Sequence, residues 1–232
     1  MFEREAHQRV ARVLDALDAQ LLRECRAAFA GGTRLAMRLG EFRASRDLDV
    51  LVSDRDGYRE LRLRARNGGA RALFARTGSL RLGREPRIDQ YGIRFPIELD
   101  AATIKVEIIH EGRIDLADPV VESWTEVPCV SLEDAAAEKL LANSDRGLDR
   151  ASLSRDLIDL AALRLEFGAL PDESWKKAEA AYSSGVRGDL ATTATQFLQD
   201  DAHRADCFRR LDVRNVDQIL LAVSQLHQEA AG

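Results

Sequence analysis

Apolar residues recur at spacings of three and four from Val10 through Val13, Leu14, Leu17 and Leu21 to Cys25, the period of one helix face. The pattern predicts an amphipathic helix over residues 3–27. Phe29 and Ala30 lead into a glycine pair, Gly31-Gly32, and Leu35, Ala36, Met37 and Leu39 fit a short helix stopped by Gly40. From Asp47 to Val52 apolar and polar positions alternate, as in a strand with one buried face. A helix over 56–67 follows and runs out at Asn67-Gly68-Gly69.

Between Arg71 and His110 the runs "RALFART", "SLRLG", "GIRFPIEL" and "TIKVEII" predict strands of an antiparallel or mixed sheet. Beyond Pro119 and Pro128 the pattern becomes helical. Ser131 to Asp134 forms a capping box for a helix to about Asn143, and Leu153, Leu157, Leu160 and Phe167 mark the next. Further helices are predicted over 172–184, 188–200 and 215–229. The fold class is therefore α+β: a mixed-sheet domain over 1–128, then a helical domain over 129–232.

Composition adds a compartment and a charge asymmetry. Three widely spaced cysteines, Cys25, Cys129 and Cys207, give neither a disulfide framework nor metal-ligand spacing and read as buried or idle thiols. A charged N-terminus without an apolar core, and no apolar run of membrane-spanning length, suggest a soluble cytoplasmic protein without membrane contact. Net charge is −5, yet Asp54 to Arg94 holds eleven arginines against five acids, so that stretch is +6 and the remainder −11. Two explanations stay open at this level, an arginine-rich composition throughout and a surface that faces a polyanion.

Candidate chemistry begins at the glycine pair, where absent Cβ atoms would let a phosphate approach backbone N–H groups and a helix start, with the Thr33 hydroxyl beside them. Asp47 and Asp49 lie two apart in a predicted strand, so both carboxylates share a face while Leu48, Val50 and Val52 turn into the core. Two like charges so close call for a counter-charge, and hard oxygen ligands suit Mg²⁺. A solvated edge strand would accommodate them equally well. Glu107, between Val106 and Ile108, supplies a third carboxylate, and three acids from two strands can hold two metals. Histidines 7, 110, 203 and 227 show no metal spacing, and Trp124 and Trp175 read as core or domain-join residues. In the second half Lys139 and Arg146 fall on one helical stripe, and Asp156 and Asp159 share a face of the next helix. An Arg155–Asp159 surface ion pair and a solvated Lys139 are the plain local readings.

"AGGTRLAMRLGEFRASRDLDV" resembles the signature of the nucleotidyltransferase superfamily with the polymerase β-like fold, specifically its AbiEii/AbiGii toxin group: a glycine pair with Thr, an apolar helix, then Arg43-Ala44-Ser45-Arg46-Asp47-Leu48-Asp49. "EKLLANSDRGLDRASLSRDLIDLAAL" is similar to the group's downstream pattern, with Lys139, Arg146, Arg155, Asp156 and Asp159 in its places, so the resemblance spans residues 29–167. It departs at Glu107, where many nucleotidyltransferases have Asp. The resemblance implies transfer of a nucleoside monophosphate from an NTP to an acceptor hydroxyl with Mg²⁺ (or Mn²⁺). Asp47, Asp49 and Glu107 would be metal ligands and catalytic, with Lys139 neutralising phosphate charge. Gly31, Gly32, Thr33, Ser45, Lys139, Asp156 and Asp159 would bind nucleotide. It further implies a bacterial toxin–antitoxin or phage-defence role, a cognate antitoxin, and tRNA as acceptor in some relatives, which the arginine-rich 55–94 stretch would suit. A small-molecule nucleotidyltransferase and a non-catalytic nucleotide-binding or interaction module are the alternative readings.

Overall fold

In the first half, six strands pair into one mixed sheet: β1 (Ala27–Ala30), β2 (Leu48–Val52), β3 (Arg81–Leu82), β4 (Arg87–Ile88), β5 (Gly92–Leu99) and β6 (Ala102–His110). The computed structural model describes residues 2–231. Strand order is β1-β2-β6-β5-β3, with β4 also on β5. Among the paired strands of the described residues only β2 and β6 run parallel, with Asp49 in register with Glu107. Alternation fixes their faces: Leu48, Val50 and Val52 on one strand, and Ile104, Val106 and Ile108 on the other, are buried. The hairpin between β5 and β6 turns on Asp100 and Ala101, both at positive φ, as a two-residue turn of matching twist needs.

The helices are α1 (Glu5–Leu14), α2 (Ala19–Glu24), α3 (Gly31–Arg38), α4 (Arg55–Gly68), α5 (Leu132–Arg146), α6 (Arg155–Phe167), α7 (Asp172–Tyr182), α8 (Gly185–Gln199), α9 (Asp201–Arg210) and α10 (Val216–Ala231). The single helix expected over 3–27 is broken in two. Every apolar position on its stripe is buried, but Leu17 pairs across to Phe74 as an isolated β-bridge. The Asp18 side chain then accepts from Leu21 N–H and starts α2 afresh. "RALFART" is likewise not a strand. Ala70–Leu73 forms a 3₁₀ turn after Gly69, with Arg71 reaching forward to the Phe74 carbonyl.

The chain divides into two units, Met1–Met37 with Ser45–Ser131, and Arg38–Ala44 with Leu132–Gly232. The sheet unit buries one apolar core, from Val10 on α1 through the strands to Cys129. In the helical unit α5 packs against α6, α7 and α8, and α10 against α6 and α8. Segment 38–44, assigned by sequence to the first half, belongs with these helices. Ala44 N–H donates to the Leu211 carbonyl and Arg214 N–H to the Phe42 carbonyl, at 2.8 and 2.7 Å. Helix α5 runs one turn past Asn143. Helix α9 escaped sequence reading because Cys207 is its only buried residue, leaving no apolar stripe to detect.

Candidate active site

The sheet unit gathers the acidic motif beside the glycine pair. Ala30 is in register with Asp49 across β1 and β2, so Gly31, one residue on and first in α3, faces that carboxylate. Gly31 has φ +73°, and a Cβ built there would fall 2.9 Å from both Cβ and Cγ of Asp49, and closer still to Oδ2. Glycine is thus required twice over at this position, by backbone conformation and by the notch that seats Asp49. Asp47 lies one residue ahead of β2, half-buried, and among the described residues it makes no hydrogen bond or ion pair. Thr33 is buried, its hydroxyl 2.7 Å from that of Ser45. That bond ties α3 to the loop carrying Asp47, which gives Thr33 a holding role in place of the expected open contact with phosphate.

Glu107 behaves differently from its sequence expectation. Its backbone lies beside that of Asp49, but its Oε1 accepts from Arg94 Nε at 3.1 Å and its other oxygen is ion-paired with Lys105. Register explains both partners, since Arg94 is directly opposite on β5 and Lys105 is two residues back on the same face. Among the described residues no three His, Cys, Asp or Glu side chains converge as metal ligands. Hard-oxygen donors for Mg²⁺ therefore reduce to two, Asp47 and Asp49, the first unpartnered and the second held in a notch that a Cβ would fill. That pair fits a divalent cation with open positions for phosphate. Glu107 does not complete the set in this arrangement.

In the helical unit the downstream motif folds into a buried ionic cluster. Arg43, from segment 38–44, grips Asp159 with two parallel bonds, Nε to Oδ1 at 2.6 Å and Nη2 to Oδ2 at 2.8 Å. Lys139 Nζ lies 2.8 Å from Asp156 Oδ1 and 2.7 Å from Asp159 Oδ2. Arg146 completes the chain on Asp156, Nε to Oδ2 at 2.7 Å. Lys139 is 7% exposed and Asp159 0%, so the solvated lysine and the Arg155–Asp159 surface pair are both ruled out. Asp159, expected at the nucleotide, is wholly occupied inside the protein. Burial would lower the Lys139 pKa, but the carboxylates of Asp156 and Asp159 outweigh it and raise it. Burial likewise opposes ionised Asp156, yet Lys139 and Arg146 hold its carboxyl well below the usual range. Three cations against two anions leave the cluster at +1, with Arg146 its solvent-facing end.

Sequence reasoning gave Arg43 no role, because its partner is 116 residues away and nothing local announces the pairing. It also missed Arg34, which is fully buried in the glycine-pair helix and donates to Glu122 at 3.0 Å. All three cysteines are free and buried. Burial pushes Cys25 and Cys129 up to about 11, which makes them poor nucleophiles.

A paired-aspartate motif on a mixed sheet, seated by a glycine at the head of a helix and followed by a helical unit, has the architecture of a nucleotidyltransferase. Solved structures agree on that fold. The chain is similar to JHP933 from Helicobacter pylori (15% identity, TM-score 0.58, covering 100% of this chain and 95% of that one). It is also similar to a candidate nucleotidyltransferase from H. pylori (15% identity, TM-score 0.52, covering 97% and 95%). No curated protein matches the sequence. The family described as "Nucleotidyl transferase AbiEii toxin, Type IV TA system" matches residues 12–219, and the chain belongs to that family of nucleotidyltransferase toxins. No described helix is long and apolar enough to cross a membrane.

Proposed function

We propose that this protein transfers a nucleoside monophosphate from an NTP to a hydroxyl of an RNA such as tRNA, releasing pyrophosphate, as a toxin held in check by a cognate antitoxin, with phage defence as its setting. The observation that carries this reading is the seating of Asp49 against Gly31 with an unpartnered Asp47 close by in sequence. Asp47 and Asp49 would hold Mg²⁺ or Mn²⁺. When bound, the cation would neutralise triphosphate charge and favour loss of the acceptor proton. The acceptor oxygen bonds to the α-phosphorus as the bond to pyrophosphate breaks. The Gly31-Gly32 backbone at the start of α3 offers N–H groups to phosphate oxygens. The Thr33–Ser45 bond keeps the Asp47 loop in place, and Glu107 holds Arg94 and Lys105.

In the helical unit the reading gives Lys139 an anion-facing role. Its ammonium has three donors, of which Asp156 and Asp159 take two, leaving one for a phosphate oxygen. Asp156 and Asp159 then act as positioning residues.

The test is incubation of the protein with each labelled NTP, Mg²⁺ and total bacterial RNA, beside Asp49→Asn. Label in RNA and stoichiometric pyrophosphate, both lost in the variant, are expected. Pyrophosphate release with label on a small acceptor alone would make this a small-molecule nucleotidyltransferase. A folded protein that releases no pyrophosphate would be a binding module.

A further inference from the structure

The arginine excess between residues 54 and 94 is not spread evenly. Arg64 is paired with Glu60, Arg94 with Asp89 and Glu107, and Arg71 caps the turn at Phe74. Arg55, Arg59, Arg62 and Arg66 are different. At spacings of four, three and four they form one stripe of α4, and among the described residues none makes an ion pair or hydrogen bond. They line a groove of about 1030 Å³ in which Asp56 is the one acidic residue, so its wall carries +3.

Tyr58, Tyr91 and His110 also line the groove. Tyr91 stands 64% exposed, and no ring among the described residues stacks on it. Its backbone is held in place. Asp89 Oδ1 accepts from Tyr91 N–H and Gly92 N–H at 2.7 and 2.9 Å, and the Asp89 carbonyl accepts the Tyr58 hydroxyl at 3.0 Å. Tyr58 in turn stacks on His110, centroids 5.0 Å apart, with the Arg62 guanidinium 5.8 Å from the Tyr58 ring centroid. An exposed tyrosine ring in a groove lined by four unpaired guanidinium groups matches a strand whose phosphates lie along the helix while a base stacks on Tyr91. Arg55 to Arg66 spans about 16 Å of helix, room for several nucleotides at about 3.4 Å per step. An acidic peptide would satisfy the arginines and leave the exposed ring unexplained.

We propose that this α4 groove binds a single-stranded segment of RNA, through phosphate contacts to Arg55, Arg59, Arg62 and Arg66 and base stacking on Tyr91. The proposal rests on the RNA-acceptor reading for its purpose, but the groove is tested separately. The probe is a labelled single-stranded oligoribonucleotide of about ten nucleotides, titrated over a salt series. Asp49→Asn serves as the parent, so that no label is transferred during binding. In that background Arg59→Gln/Arg62→Gln/Arg66→Gln should bind at least about tenfold more weakly and lose up to about 2 units from the slope of log affinity on log salt, at about 0.7 per phosphate contact. Arg59→Lys/Arg62→Lys/Arg66→Lys should keep most of the slope. Tyr91→Ala should weaken single-strand binding and spare duplex RNA. Salt slopes unchanged in the glutamine variant would overturn the groove, even if the wild-type protein labels RNA. A parent that binds an acidic peptide but no RNA would overturn it as well. Groove-dependent RNA binding by a protein that transfers no nucleotide to RNA would uphold the groove and refute the acceptor reading alone.

Discussion

The sheet unit and the helical unit each present acidic residues from the same family pattern, and they treat them in opposite ways. In the sheet unit Asp47 has no partner among the described residues, and Asp49 lies in a notch kept open by a missing Cβ. In the helical unit each carboxylate of the cluster is bound at least twice by cations and closed from solvent. An acid left without a counter-charge costs stability that only a ligand recovers, whereas a fully paired buried cluster fixes geometry and is costly to disturb. The first arrangement is suited to binding and the second to holding.

The contrast is broken most directly at Asp49. Asp49→Asn should reduce nucleotidyl transfer by at least about three orders of magnitude, the several kcal/mol expected of a charge-stabilising site. Its melting temperature should stay close to that of the wild type, because Asn matches the volume that Asp49 fills beside Gly31. Activity within tenfold of wild type would mean that the acidic pair binds no catalytic metal.

Asp159→Asn should show the reverse profile. Breaking a buried pair on one side takes a carboxylate from both Arg43 and Lys139, and a loss of about 3–5 kcal/mol is expected by urea denaturation. A loss below 1 kcal/mol would place the cluster among replaceable contacts.

Gly31→Ala probes the notch. The new methyl, on a residue at positive φ, must displace the Asp49 side chain, so transfer should fall by about a hundredfold, the scale of an ångström-level misplacement, with a smaller fall in stability. Undiminished transfer would show that Asp49 acts from another position.

Lys139→Ala should slow transfer or weaken NTP binding about tenfold, roughly 1.4 kcal/mol, as for one charge-assisted phosphate contact. Asp156 and Asp159 keep Arg146 and Arg43 in that variant, so the fold should survive for the assay. Unaltered NTP affinity and turnover would leave Lys139 a purely structural cation.

The smallest effect concerns acid. Asp156 has a depressed pKa in the folded state, so its contribution is full above the ordinary carboxylate value of 3.8 and is lost as pH falls towards the folded value. Arg146→Gln removes one cause of the depression. Denaturation curves from neutral pH to about pH 2.5 should therefore show a shallower acid loss in the variant than in the wild type. Parallel curves would mean that Lys139 alone sets the Asp156 pKa.

What the sequence made legible were features with a local period. Alternation about Asp49 and Glu107 located β2 and β6, and apolar stripes located five of the six helices after Ser131. Tertiary requirements were silent. No pattern near Leu17 announces a bridge to Phe74, and no spacing links Arg43 to Asp159. Glu107 is an intermediate case. Lys105 and Glu107 two apart in one strand already implied an ion pair on a shared face, a signal that competes with metal ligation. The glycine pair was placed correctly at a strand-to-helix junction, but the structure gives Gly31 a reason that sequence did not contain, the carboxylate of Asp49 in its Cβ space.

The seven residues from Arg38 to Ala44 have a further consequence. They are synthesised long before α5 to α10, yet they count among the helical unit. A ribosome therefore releases Arg43 as an exposed cation and must make 116 more residues before its carboxylate partner exists. Neither unit is a contiguous piece of chain, so no single cut yields either one whole, and a fragment beginning at Leu132 would carry Asp159 without Arg43. A chain that stops before Leu132 already has Asp47 and Asp49 but lacks the helices with which residues 38–44, the middle of the same motif, are grouped.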